Sequence, residues 1–285
     1  MRSNDLLYSL VVVLAPTCET TLGATVGHQA HAAFLSTIRE ENPALAEALH
    51  APGVPVRPFT VSPLLGAAPH HDASMRLLSG QECYLRFTLL YAPIYEQFMA
   101  HFLRAGQRPA LRLGEAVLLV KEIRTTPGSH PWAGYNSWAE LVAGARPEPE
   151  ITLEFASPTA FGFGQQAWGK KAMVLPLPEL VFDSLARQWN SLAPVPLQID
   201  RQALRTYTDQ HVVIKRLESL HTQMLHFAKA PQVGFVGRVS FGLMGDNDIA
   251  RLYLNMLADF AFYAGVGMKT TMGMGQCRRV GGGRA

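Results

Sequence analysis

The sequence predicts an α+β fold made of two tandem ferredoxin-like domains, each with the element order β-α-β-β-α-β. Strand and helix patterns follow that order up to residue 124, and the order is repeated from residue 151 onward. The intervening residues are rich in proline and glycine, which is typical of a connection between domains. We therefore expect an N-terminal domain over 1–126, a linker over 127–149 and a C-terminal domain over 150–285.

The elements of the first half are predicted from apolar spacing, which is three to four residues in helices and two in strands. A helix over 28–39 is followed by Asn42-Pro43, which predicts a second helix with asparagine as its cap and proline in its first position. That helix is expected to end at His50. The other predicted elements of this half are strands over 6–14, 59–65, 82–90 and 116–124 and a helix over 94–104.

The second half shows the same alternation of patterns. A short helix is expected around Trp138 to Val142, within the linker. The predicted elements that follow are strands over 151–155, 211–228 and 232–242, helices over 178–192 and 246–264, and a last strand over 274–280. The repeat is one of topology, because no repeated sequence period is visible.

The composition indicates a globular cytoplasmic protein. Hydrophobic residues make up 48% of the chain and charged residues 16%, and the net charge of +3 permits an anionic partner. Three widely spaced cysteines form neither a metal-type pair nor a disulfide framework. The apolar run over 10–15 is too short to span a membrane and indicates a buried strand rather than a signal peptide. We expect no membrane association, no cofactor and no metal.

The most unusual segment is a glycine-rich run near the end of the sequence. Glycine lets backbone N–H groups approach a ligand closely, and neighbouring cations favour a phosphate. The alternative is a connector without chemical function. The glycines and cations of this segment are Gly265, Gly267, Lys269, Gly273, Gly275, Arg278 and Arg279.

Two nucleotide-binding loops are excluded by their context. Both follow a strand and precede a helix, whereas this run follows a predicted helix and precedes a predicted strand. Met268 separates Gly267 from Lys269, so the Gly-Lys-Ser/Thr succession of a Walker A loop is missing. A dinucleotide fingerprint requires a third glycine where Thr270 stands. The predicted topology also underlies RNA-reading domains, so the backbone of RNA is the expected ligand.

Four segments resemble the Cas6 endoribonucleases of CRISPR systems. Residues 264–275 are similar to the signature loop of the repeat-associated RNA-binding superfamily, and three further stretches are similar to Cas6 segments: 42–50, 155–161 and 185–190. The resemblance covers nearly the whole chain. It implies binding of CRISPR repeat RNA and cleavage of the precursor transcript into guide RNAs.

Such cleavage needs no metal if the 2′-OH beside the scissile phosphate attacks in line, leaving a 2′,3′-cyclic phosphate and a 5′-OH. It needs a base, an acid and positive charge near the phosphate. His50 is the first candidate, because the resemblance places the catalytic histidine there and because a helix C-terminus favours the protonated form. Its alternative role is only to cap that helix.

The other catalytic candidates are His28, His31 and Arg57. His28 and His31 are three residues apart and share a helix face. Three roles are open for the pair: lining the cleft that contacts RNA, lying on the surface without a function, or binding a metal. The spacing shows no third ligand for a metal. Arg57 is the cation nearest to the position where the family has a lysine, and an arginine stabilises a phosphate but is a poor base. Leu35 stands where the family often has a tyrosine, so a complete acid–base pair is not predicted.

RNA binding is assigned to the cations and glycines of the glycine-rich run and to basic residues elsewhere in the second half. The alternative for each of these cations is that it is a solvated surface residue that does not contact RNA. Trp168 is interpreted as packing rather than as a base-stacking residue. The further RNA-binding candidates are Lys170, Lys171 and Arg238.

Two other functions remain open. One is a repeat-RNA-binding subunit of a CRISPR effector complex that does not cleave, and the other is an unrelated anion- or nucleotide-binding enzyme. The sequence also leaves open whether the protein associates with other Cas proteins and whether it forms a homodimer.

Overall fold

The computed structural model divides the chain into two compact units. Three residues of the glycine-rich run belong to unit 1. The residues that the structure describes are 5–23, 25–70, 74–104, 109–227 and 230–281. Unit 1 consists of Met1–Asn136, Leu225–Pro231 and Thr271–Gly273, and unit 2 of Ser137–Met224, Gln232–Thr270 and Met274–Ala285.

In its described residues, unit 1 has three helices and a principal sheet whose long central strand is β1. The helices are α1 (Gly27–Glu41), α2 (Pro43–His50) and α3 (Ala92–Leu103). The strands are β1 (Leu6–Pro16), β2 (Thr20–Gly23), β3 (Phe59–Val61), β4 (Ala68–His70), β5 (Ser74–Leu77), β6 (Cys83–Leu89), β7 (Ala110–Leu113), β8 (Ala116–Arg124) and β9 (Gly134–Ser137).

The principal sheet of unit 1 has the order β3-β6-β1-β8-β7, and β9 also pairs with β1. The four strands that were predicted lie in the order second, third, first, fourth, with antiparallel neighbours, which is the ferredoxin-like arrangement. Phe34 of α1 stacks on Phe59 and Phe87 of this sheet, with ring centroids 4.5 Å and 5.5 Å away. The core therefore lies between the sheet and α1.

Unit 2 repeats this arrangement. Its helices are α4 (Trp138–Gly144), α5 (Pro178–Leu192), α6 (Arg201–His211) and α7 (Asp248–Ala264). Its strands are β10 (Glu150–Thr159), β11 (Phe161–Gln166), β12 (Gly169–Met173), β13 (Val212–His226), β14 (Pro231–Leu243) and β15 (Cys277–Arg279). The sheet order β13-β14-β10-β15 is again second, third, first, fourth. The prediction of two ferredoxin-like domains is confirmed.

Several elements of unit 2 were not predicted. The hairpin β11–β12 carries a weak pattern, because it is rich in glycine, glutamine and lysine. The helix α6 is amphipathic but mostly polar, and it was also missed. The segment expected as a linker contains the unpredicted strand β9 and the predicted short helix, α4, whose capping box joins Ser137 and Glu140. The boundary between the two compact units lies between Asn136 and Ser137. The division into 1–126, 127–149 and 150–285 stays a prediction.

Candidate functional site

The candidate catalytic residues lie on two consecutive helices of unit 1. The Asn42 side chain accepts a hydrogen bond from the Leu45 N–H at 3.0 Å, which confirms the predicted cap of α2. His50 is the last residue of α2 and is exposed. On α1, His28 is exposed and His31 is buried, with 7% of its surface exposed.

The hydrogen bond of His31 determines which ring nitrogen carries the proton. Nδ1 of His31 lies 3.0 Å from the carbonyl oxygen of Thr271. A carbonyl oxygen only accepts hydrogen bonds, so Nδ1 is the donor and Nε2 of the neutral ring keeps its lone pair. The ring also packs against Phe59, with centroids 5.5 Å apart.

The surroundings of His31 lower its pKa. Burial is the largest cause, and the hydrogen bond to Thr271 opposes it, while the positive charges of Arg57, His28 and His50 lower the pKa further. His31 is therefore neutral at neutral pH, and its Nε2 is able to accept a proton. The same interactions place Arg57, His28 and His50 within electrostatic range of His31 in unit 1.

Arg57 has a structural role that the sequence did not indicate. Its guanidinium donates hydrogen bonds to the carbonyl oxygens of Leu49 and Ala51, the second at 3.2 Å. These bonds close the C-terminal end of α2 on both sides of His50. The predicted role of Arg57 in stabilising the phosphate stays a prediction, and its charge lies within electrostatic range of His31. Leu35 is packed in the core with 4% exposure.

The amides of the four predicted glycines donate hydrogen bonds within the protein. This arrangement argues against the expectation that these amides bind phosphate. The acceptors are Ala261 O for Gly265, Ser184 Oγ for Gly267, Val61 O for Gly273 and Pro158 O for Gly275.

The glycines are required by close backbone approach instead. A Cβ on Gly275 would lie 2.2 Å from the Val266 carbonyl oxygen, and one on Gly267 would lie 2.4 Å from the Ala160 carbonyl oxygen. Both residues also have positive φ, 72° and 84°. Larger residues are excluded because their side chains would collide with backbone.

Two predicted RNA-binding arginines of unit 2 share one carboxylate. Arg238 of β14 and Arg278 of β15 lie 3.1 Å and 2.6 Å from the two oxygens of Glu154, on the strand between them. Burial raises the pKa of Glu154, but the hydrogen bonds from Arg278 and Arg238 lower it overall. The cluster of two arginines and one glutamate keeps a net positive charge.

Arg279 has a different environment from its neighbour. Its side chain is 14% exposed, and Nη2 lies 2.6 Å from Glu148 Oε2 and 2.6 Å from Asn255 Oδ1. Nη1 lies 3.5 Å from Asp259. These partners balance its charge, so the expectation that Arg279 binds RNA is corrected to a structural role.

The β11–β12 hairpin presents aromatic and basic side chains. Trp168, at its turn, is 73% exposed, and Phe163 on β11 is 43% exposed. The Lys171 ammonium lies 5.3 Å from the Phe163 ring centroid. Burial lowers the pKa of Lys269, and the charge of Lys170 lowers it further, so these two lysines are neighbours. The interpretation of Trp168 as a packing residue is wrong.

Comparison with known proteins identifies the family. Residues 6–143 match the CRISPR Cas6 N-terminal domain, and residues 153–277 match the CRISPR-associated endoribonuclease Cas6. The chain belongs to the Cas6 family. A Cas6 product complex covers 97% of this chain and all of its own, with 25% identity and a TM-score of 0.83.

Other relatives agree with this assignment. The structure of a Thermus thermophilus Cas6 matches over 97% of this chain and 99% of its own, with 25% identity and a TM-score of 0.68. A Cas6 substrate mimic complex matches over 96% and 99%, with 26% identity and a TM-score of 0.70. A curated Cas6 endoribonuclease from Streptococcus thermophilus is 28% identical over 144 residues, 50% of this chain. That match spans 55% of the length of the relative.

Two further searches concern membranes and metals. Within the described ranges, no helix is both long and apolar enough to cross a bilayer. Among the same residues, no three His, Cys, Asp or Glu side chains are grouped so that they could hold a metal ion.

Proposed function

We propose that this Cas6 protein is an endoribonuclease that binds CRISPR repeat RNA and cuts the precursor transcript into guide RNAs. The observation that carries the proposal is the environment of His31, a buried histidine whose Nδ1 is engaged and whose Nε2 is left as an acceptor. Relatives that match nearly the whole chain are described as a product complex and a substrate mimic complex, which supports RNA as the ligand.

In the proposed mechanism, His31 is the general base and His50 the general acid. Nε2 of His31 takes the proton of the 2′-OH, and the 2′ oxygen forms a bond to phosphorus as the bond from phosphorus to the 5′ oxygen breaks. His50 donates a proton to that leaving oxygen, giving a 2′,3′-cyclic phosphate and a 5′-OH. His50 is the last residue of α2 and is exposed, so its ring is accessible to the RNA.

The positive charge that the transition state needs is proposed to come from side chains rather than from a metal. Arg57 is held beside His50 by its hydrogen bonds to Leu49 and Ala51. His28, exposed on the first turn of α1, is the second source of charge and of hydrogen bonds to the phosphate. A guanidinium next to a developing phosphorane acts by electrostatic stabilisation.

Unit 2 is proposed to hold the RNA. The hairpin carries an exposed aromatic residue beside lysines, a combination that suits stacking on bases and contact with phosphates. Arg238 and Arg278 form a second contact on the open face of the sheet, while the glycines shape the backbone around Lys269. The residues assigned to RNA are Trp168, Lys170, Lys171, Arg238, Lys269 and Arg278.

The test is cleavage of the cognate repeat RNA by purified protein in EDTA. We expect products with 2′,3′-cyclic phosphate and 5′-OH ends, and no cleavage when the nucleotide before the scissile phosphate is 2′-deoxy. Cleavage that stops in EDTA and returns with magnesium contradicts the metal-independent mechanism. Cleavage of the 2′-deoxy substrate contradicts attack by the 2′-OH.

A second function is a repeat-RNA-binding subunit that does not cleave and that acts with other Cas proteins. Two observations favour it. Leu35 has no hydroxyl that could act as an acid or base, and two N–H donors of Arg57 are bonded to backbone carbonyls. Tight RNA binding without cleavage at enzyme excess would select this function. Sedimentation of the purified protein in the same buffer tests the homodimer.

A further inference from the structure

Three residues of the glycine-rich run lie against the start of α1. Thr271–Gly273 belong to unit 1, and an ideal Cβ on Gly27, the first residue of α1, would lie 1.9 Å from the Met272 carbonyl oxygen. No side chain fits there without moving the backbone. The absence of a side chain at Gly27 therefore allows the glycine-rich run to pack directly against the helix that carries His31.

The same three residues are anchored to the sheet of unit 1. The Gly273 N–H donates to the Val61 carbonyl oxygen at 3.0 Å, and Val61 is the last residue of β3. Phe59, the first residue of β3, packs against the His31 ring. The Thr271 carbonyl is thus held at a fixed place relative to the imidazole, which it contacts at 3.0 Å.

We propose that the glycine-rich run acts on the chemistry directly: the Thr271 carbonyl selects the His31 tautomer that has its proton on Nδ1, and Gly27 is the positioning residue that makes this contact possible. The catalytic consequence rests on the function proposed above, whereas the tautomer itself does not. A histidine in the other tautomer presents an N–H on Nε2 and is unable to accept the proton of the 2′-OH.

The size of the expected effect follows from general experience with catalytic histidines. In serine proteases, loss of the group that holds the correct tautomer lowers kcat by about 10⁴-fold. A misplacement of a catalytic group by about 1 Å costs about 10²-fold. Burial of His31 supports the proposal, because a buried neutral ring has few alternative partners for Nδ1.

The first experiment needs neither RNA nor a variant of the loop. In protein labelled with ¹⁵N-histidine, at a pH above the titration of the histidines, the two ring nitrogens of His31 report which one is protonated. The His31 signals are assigned by their loss in His31→Gln. We expect Nδ1 to be protonated, and a His31 signal with the proton on Nε2 overturns the proposal.

The second experiment compares Gly27→Ala with Gly23→Ala. The added methyl at residue 27 must displace the Met272 carbonyl, whereas a Cβ on Gly23 meets nothing within 4 Å. We expect Gly27→Ala to lose the Nδ1–H preference and to cleave about 10²-fold more slowly at saturating enzyme. RNA affinity should be unchanged. Gly23→Ala should match the wild type in all three measurements.

The outcomes separate this proposal from the general function. A Gly27→Ala protein that keeps both tautomer and rate, or that changes one without the other, overturns the proposal. If Gly27→Ala does not fold, Gly273→Ala replaces it as a milder change, since its Cβ would lie 3.4 Å from Pro63 N at a φ of 95°. A wild-type protein with the expected tautomer that cuts no RNA refutes the proposed function and leaves the tautomer assignment standing.

Discussion

The two units have the same strand order, but their crossover helices carry different chemistry. In unit 1, α1 and α2 carry His28, His31 and His50, the catalytic candidates. In unit 2, the equivalent helix α5 is a packing element, in which Trp189 is fully buried against Trp138 and Phe260. One topology thus serves two purposes, and the function depends on the residues placed on it rather than on the fold.

The comparison extends to the second helix in the first crossover of each unit. His50 is the last residue of α2, and His211 is the last residue of α6. His211 packs beside Tyr207, with ring centroids 5.1 Å apart. The same residue type at the same topological place therefore provides a matched control.

The largest expected effect is that of His50→Ala. Removing the proposed acid should lower the cleavage rate by about 10²- to 10⁴-fold and leave the Kd for RNA unchanged. Single-turnover cleavage and filter binding measure the two quantities. His211→Ala should leave both unchanged. If His50→Ala cleaves at the wild-type rate, the acid lies elsewhere and His28 becomes the candidate.

The next effect separates two adjacent arginines of β15. Arg279→Ala should destabilise the protein by about 1.5–3 kcal/mol, because charge-assisted hydrogen bonds to Glu148 and Asn255 are lost. Arg278→Ala should lower stability less and weaken RNA binding more. Urea denaturation and RNA titration measure the two effects. The assignment is wrong if Arg279→Ala weakens RNA binding while leaving stability intact.

Trp168→Ala tests whether the hairpin stacks on RNA. The loss of one base-stacking contact should weaken binding by about 1–3 kcal/mol, and Trp168→Phe should recover part of it. Trp138 and Trp189 are buried, and Trp132 is half-buried beneath the Arg86 guanidinium. A change in tryptophan fluorescence on RNA binding should therefore largely disappear in Trp168→Phe. Binding and fluorescence that are unaffected by Trp168→Ala contradict a stacking role.

Lys170→Ala should have a smaller effect, and a purely electrostatic one. Losing one phosphate contact should reduce the slope of log K against log salt by about 0.7 to 0.9. Lys215→Ala is the control, since Lys215 is paired with Glu150 at 2.6 Å in the same unit. Equal salt slopes for wild type and Lys170→Ala exclude this lysine from the phosphate contacts.

The smallest effect concerns stability rather than activity. Burial lowers the pKa of His31 in the folded protein, so below the ordinary histidine pKa of 6.5 the unfolded chain binds a proton that the folded protein does not. Stability should therefore fall as the pH drops below about 6.5, and His31→Gln should reduce that fall. Urea denaturation at several pH values measures it. An unchanged pH dependence in His31→Gln contradicts the assigned burial effect.

Much of the fold was predictable because local signals agreed with the tertiary structure. The Asn42-Pro43 start of α2 and the limits of α5 were predicted as observed, since caps and apolar spacing are local properties. The hairpin β11–β12 was missed because its strands bury little and so carry no alternating pattern. Trp168 was assigned to packing because residue type alone does not reveal exposure.

The candidate site was predictable only in part. The sequence named His28, His31, His50 and Arg57 separately, and the fold groups them around His31. Their catalytic roles stay proposals until the variants are measured. The contact from His31 to Thr271 joins residues 240 positions apart, and no local pattern predicts a hydrogen bond over that separation.

The sequence by itself determined the element order, the double topology and the residue types available for chemistry, because these depend on local spacing and capping. Only the tertiary structure decided how those residues are used. In the folded protein the glycine amides donate hydrogen bonds to internal acceptors, and acidic side chains neutralise the charge of Arg279. The Thr271 carbonyl accepts a hydrogen bond from His31. The physical reason is that hydrogen-bond and charge partners come from distant parts of the chain, and only folding brings them within bonding distance.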